Sequence, residues 1–91
     1  MIEIKKNGPE TYDVVVGGKT RTHHTVTLSE SYYRKLTGGT APPEELLEKS
    51  FVFLLEREPN TSILSSFDLP LINRYFPEYE EEIKKRIKNE G

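Results

Sequence analysis

Few side chains in this sequence are nucleophilic, basic or metal-ligating, and their placement along the chain restricts the reactions open to them. His23 and His24 are its only histidines, and it has no cysteine. Adjacent residues on an extended strand point to opposite faces, so the two imidazoles cannot readily chelate one ion together. A metal site needs ligands two apart on a strand or four apart on a helix, and histidine occurs here at neither spacing. Ser65, Ser66 and Asp68 set hydroxyls beside a carboxylate. A serine nucleophile needs a base to take its proton, and no histidine stands close by in the sequence; helix capping explains these residues better. Gly17-Gly18 and Gly38-Gly39 lack the lysine or the strand-to-helix setting of a phosphate loop and read as turns. With no triad, no metal ligands and little room for a pocket of several hundred cubic ångströms, the expectation is a protein that is not an enzyme and takes no metal or cofactor.

The aromatic residues are harder to place in a core. Tyr32, Tyr33, Tyr75, Phe76 and Tyr79 are many for a chain of 91 residues. Aromatics and arginine carry most of the binding energy at protein interfaces, so the sequence points to a partner-binding surface made of Tyr75, Phe76 and Tyr79 with Arg74 at its rim. The other reading, in which the rings seal gaps between short helices, stays open. The acidic run Glu78 to Glu82 reads as a solvated helix face paired with its own cations.

Charge is abundant and nearly balanced, with 13 Lys plus Arg against 15 Asp plus Glu and a net charge of −2. Phosphate neutralisation supplies most nucleic-acid affinity, so a chain without basic excess points away from nucleic acid and toward another protein as partner. No stretch approaches the roughly twenty apolar residues of a membrane span, and the N-terminus lacks the apolar run of a signal peptide. Without cysteine nothing requires an oxidising compartment, and a cytoplasmic setting is expected. Residues 1–91 form a single domain, large enough to bury roughly 60 to 65% of its unfolded surface.

The expected secondary structure is arranged around the segment Glu44 to Glu58. Leu46, Leu47, Ser50, Phe51, Phe53, Leu54 and Leu55 cover about half the circumference of a helix, wider than a surface stripe, so this helix must be covered on two sides. Pro43 marks its start and Pro59 stops it. Ahead of it, Ile2 and Ile4 alternate with charged residues in a short edge strand. Tyr12 to Val16 and Thr22 to Leu28 form a hairpin. A three-residue loop pairing Val16 with Thr20 puts Tyr12, Val14, Val16, His24, Val26 and Leu28 on one face, with Asp13 opposite His23 on the other. Ser29 caps a helix from Glu30 to Thr37, closed by Gly38-Gly39, with Tyr32 and Leu36 inward. After Pro59, Asp68 is expected to cap a short helix bearing Leu71, Ile72, Tyr75 and Phe76. Pro77 then opens a terminal surface helix with Tyr79, Ile83 and Ile87 as its apolar line and ordered pairs such as Glu82 with Arg86. The fold class is α+β: a small N-terminal antiparallel sheet of three strands packed on a central helix, followed by short C-terminal helices.

Two resemblances accompany this reading. Phe51 to Glu58 with Pro59-Asn60-Thr61-Ser62-Ile63-Leu64-Ser65-Ser66-Phe67-Asp68-Leu69-Pro70 and Arg74-Tyr75-Phe76-Pro77-Glu78-Tyr79 resembles a family of short uncharacterised bacterial proteins, which implies no particular activity. Thr25-Val26-Thr27-Leu28-Ser29-Glu30-Ser31-Tyr32-Tyr33-Arg34-Lys35-Leu36 followed by Glu44 to Glu58 resembles the strand, helix, helix order of ribbon-helix-helix DNA-binding proteins. That second resemblance implies an alternative function as a DNA-binding regulator or antitoxin-type protein, with Arg21, His23 and Thr25 as nucleic-acid contacts after two chains pair their strands.

Overall fold

Apolar and polar residues alternate along three consecutive segments, and each becomes a strand: β1 (Ile2–Lys6), β2 (Thr11–Val16) and β3 (Thr22–Thr27). In the computed structural model, which describes residues 1–90 and their side chains to residue 88, these strands form an antiparallel meander. Tyr12, Val14, Val16, His24 and Val26 lie on its buried face, while Thr25 and His23 face outward. The expected face assignment holds, but the register differs. Val16 pairs with Thr22, not Thr20, so the loop is residues 17–21 and Asp13 lies opposite Thr25 while His23 lies opposite Val15. A shift of two residues preserves the faces. A distant residue holds the longer loop: the Asn60 side-chain amide donates to the Thr20 carbonyl at 2.7 Å and to Thr22 Oγ1 at 3.1 Å.

The helices follow their local signals. α1 (Glu30–Thr37) starts where Ser29 Oγ accepts the Tyr32 N–H, and ends at Gly38, whose φ of 63° is a left-handed conformation that glycine adopts freely. α2 (Pro43–Leu55) has proline in its first turn and two glutamates at its positive end. It stops three residues short of the expected Glu58. The N–H groups of Arg57 and Glu58 both reach the Leu54 carbonyl in a closing turn, consistent with the aversion to helical backbone just before Pro59.

The chain beyond α2 departs from expectation. One 3₁₀ turn (Asn60–Ser62) is followed by a fourth strand, β4 (Ser66–Asp68), which pairs parallel to β3 with Val26 opposite Phe67. The sheet is therefore mixed and four-stranded, in the order β1-β2-β3-β4, rather than antiparallel and three-stranded. Asp68 ends β4 and is not a helix cap; α3 (Leu71–Tyr75) begins after Pro70 with no side-chain cap. α4 (Tyr79–Glu90) completes the fold.

α2 sits between the sheet and α4, so its wide apolar surface is covered on both sides. Phe51, Phe53, Leu46 and Leu47 have no exposed surface, and neither do Leu69, Tyr79 and Ile83 from the C-terminal region. Burying side chains of this size stabilises by about 1.5 to 3 kcal/mol each. Glu82 and Arg86 form the expected i, i+4 pair at 3.1 Å, and Glu80 turns toward α1, accepting from the Tyr32 hydroxyl at 2.8 Å and meeting Lys35 at 3.3 Å.

Candidate functional site

The four residues expected to form a partner surface separate into two environments. Tyr79 is fully buried and belongs to the core: its ring meets Phe53 edge-on with centroids 5.2 Å apart, and its hydroxyl lies 2.6 Å from Ser50 Oγ. It cannot touch a partner while the protein is folded. The reason is periodicity: Tyr79, Ile83 and Ile87 occupy one stripe of α4, and the whole stripe packs inward. Phe76 is half-buried, edge-on to Phe53 at 6.1 Å. Arg74 is exposed, and Tyr75 is 66% exposed on the short helix α3.

Tyr75 and Phe76 line an open groove of about 440 Å³. Its floor is Leu54, Ile63 and Ile72, and its walls are Leu64, Phe67 and Leu71, with Glu58 and Ser62 as the polar members. The expectation of little room for a pocket of this size does not hold. Short elements leave the space: α3 and β4 are too brief to close over the end of α2. The sequence signal that could have pointed there is Leu64, an apolar residue in a Ser- and Thr-rich connection, which is 48% exposed.

Charged pairs lie next to the groove residue Phe76, with the Arg57 guanidinium 5.9 Å from the centroid of its ring. Arg57 lies over the Phe53 ring at 3.5 Å, donates to the Phe53 carbonyl at 3.0 Å and meets Glu78 at 3.2 Å. Arg86 holds Glu56 at 2.7 Å, and this hydrogen bond is the main cause that lowers the Glu56 pKa below the usual carboxylate range. On the groove's other side, the buried His24 imidazole is 2.7 Å from the Leu64 carbonyl through Nδ1 and 2.9 Å from Thr22 Oγ1 through Nε2, with Phe51 against its ring at 5.5 Å. His24 thus ties the segment before β4 to β3.

The residues of the nucleic-acid reading lie elsewhere. His23 and Thr25 face solvent on the outer side of the sheet, and Arg21, in the loop before β3, lies 3.8 Å from Glu3. They share one face with Lys5, Glu3 and Asp13, whose charges are mixed. Both edges of β3 are occupied, one by β2 and the other by β4, so β3 has no free edge on which a ribbon shared between two chains could form. The fold brings Ser65, Ser66 and Asp68 beside β3, with Ser66 opposite Thr25, and both ring nitrogens of His24 are engaged by the Leu64 carbonyl and Thr22 Oγ1. Among the described residues, no three His, Cys, Asp or Glu side chains are grouped so that they could hold a metal ion, and no helix is long and apolar enough to cross a membrane. Compared with family models, curated proteins and solved structures, the chain matches none.

Proposed function

We propose that this chain is a small non-enzymatic, cytoplasmic interaction module whose partner surface is the α3 groove, with Tyr75 as its anchor, Phe76 in its wall and Arg74 at its rim. The observation that carries this reading is the 66% exposure of Tyr75 beside an apolar concavity. An exposed ring next to a hollow large enough for a side chain offers both halves of an interface hot spot, a protruding aromatic and a pocket. The core does not need Tyr75, because Ile72 from the same helix supplies its buried contact.

Capture of a partner from a native lysate, repeated with Tyr75→Ala and with Glu81→Ala, tests the proposal. Tyr75→Ala is expected to weaken capture by about thirtyfold, the equivalent of a 2 kcal/mol hot spot, while Glu81→Ala, on the charged face of α4, leaves it unchanged. Equal capture by both variants removes the groove from consideration.

A further inference from the structure

We infer that the groove is one half of a strand-addition site: an extended segment of a partner protein pairs with the free edge of β4, sends an apolar side chain into the groove, and carries basic side chains on its opposite face. This rests on the interaction reading above and specifies the form of partner it would take.

The direction of the β4 backbone is the first observation. Thr25 donates to the Ser65 carbonyl at 2.8 Å and Leu69 donates to the Thr27 carbonyl at 3.0 Å, so the odd-numbered residues of this segment turn their N–H and C=O groups toward β3. Backbone groups alternate along a strand, and those of Ser66 and Asp68 therefore point off the sheet, where among the described residues they meet no protein partner. Unpaired edge groups of this kind are a template for another strand.

Position and charge then select the occupant. Phe67 lies between those two residues, half-buried and lining the groove, so an added strand that continues the pleat places alternate side chains over the groove and the others beside Asp68. Asp68 is exposed and forms no ion pair among the described residues, which favours cations on the face of the incoming chain that lies beside it. A second copy fits less well, because antiparallel pairing of two β4 edges brings two Asp68 carboxylates to the same short ribbon. The other sheet edge lacks these features: β1 carries Lys5 and Lys6, residues that guard an edge against pairing.

The probe is a blocked synthetic heptapeptide, Lys-Val-Lys-Phe-Lys-Val-Lys, added to isotope-labelled protein and followed by nuclear magnetic resonance and amide hydrogen exchange. The expected result is new protection at the Ser66 and Asp68 amides, with shifts at Leu64 and Tyr75 and none along β1. Backbone N-methylation of the peptide should abolish protection, and Asp68→Lys should weaken binding about tenfold while improving that of the glutamate-for-lysine peptide. Absence of protection at Ser66 and Asp68 at millimolar peptide, or binding indifferent to N-methylation, overturns strand addition. If Tyr75→Ala still releases the lysate partner in that case, the interaction reading stands and only the mode of docking fails.

Discussion

The Tyr79 hydroxyl and Ser50 Oγ lie 2.6 Å apart in the core, between α4 and α2. Ser50 donates its one proton to the Leu46 carbonyl at 2.7 Å, so Tyr79 must be the donor to Ser50. The two bonds satisfy both hydroxyls where water cannot, and they fix the helices in one relative position.

Removing either hydroxyl should have unequal cost. Ser50→Ala leaves the Tyr79 O–H buried without an acceptor and is expected to destabilise by about 1 to 3 kcal/mol, whereas Tyr79→Phe leaves Ser50 satisfied by Leu46 and costs about 0.5 to 1.5 kcal/mol. Urea denaturation of both variants and of the double variant checks this. The double variant should cost less than the sum of the single ones, because no donor is then stranded.

Tyr79→Ala should act as a core deletion, losing about 3 to 5 kcal/mol, while Tyr75→Ala should change stability by no more than about 0.5 kcal/mol. Thermal unfolding of the two variants separates core from surface. Comparable losses from both would place Tyr75 in the core too.

Alkaline pH should weaken the fold. Burial raises the Tyr79 pKa above its ordinary value of 10.0, and burial followed by the hydrogen bond to Glu80 raises that of Tyr32. A raised pKa means that the neutral phenol is favoured in the folded state, so its contribution is complete below pH 10 and is lost as pH rises beyond it. Each such tyrosine removes up to about 1.4 kcal/mol per pH unit above that point. Tyr79→Phe should flatten the decline measured by denaturant midpoints between neutral and strongly alkaline pH; a decline of unchanged slope would exclude Tyr79 as a cause.

His24→Leu should loosen the groove before it unfolds the domain. The substitution frees the Leu64 carbonyl, which can turn to water because Leu64 is exposed, so the expected cost is about 1 to 2 kcal/mol. Hydrogen exchange should accelerate across residues 60–68 and stay slow in β2. Uniform acceleration would mean that His24 supports the whole sheet rather than this segment.

Most of the structure of the first 55 residues was legible in the chain before any distant contact is considered. Alternation in β1, β2 and β3, the Ser29 cap, Gly38 and the proline-headed apolar run of α2 are local signals, each acting within one turn or one strand. Face assignment survived even where register did not, because the side-chain period of a strand is two and the hairpin slipped by two. The remainder depended on contacts between segments far apart in the chain. Phe67 is the only apolar residue of β4, too little for any period to show, and that strand exists because β3 offered an unpaired edge forty residues earlier in the chain. The loop of residues 17–21 likewise depends on Asn60, which no local rule places beside it. Sequence composition singled out Arg74, Tyr75, Phe76 and Tyr79 together, but only the packing of α4 on α2 separates them. The stripe that buries Tyr79 begins two residues after Pro77, and the turn there leaves Tyr75 on the far side, in water.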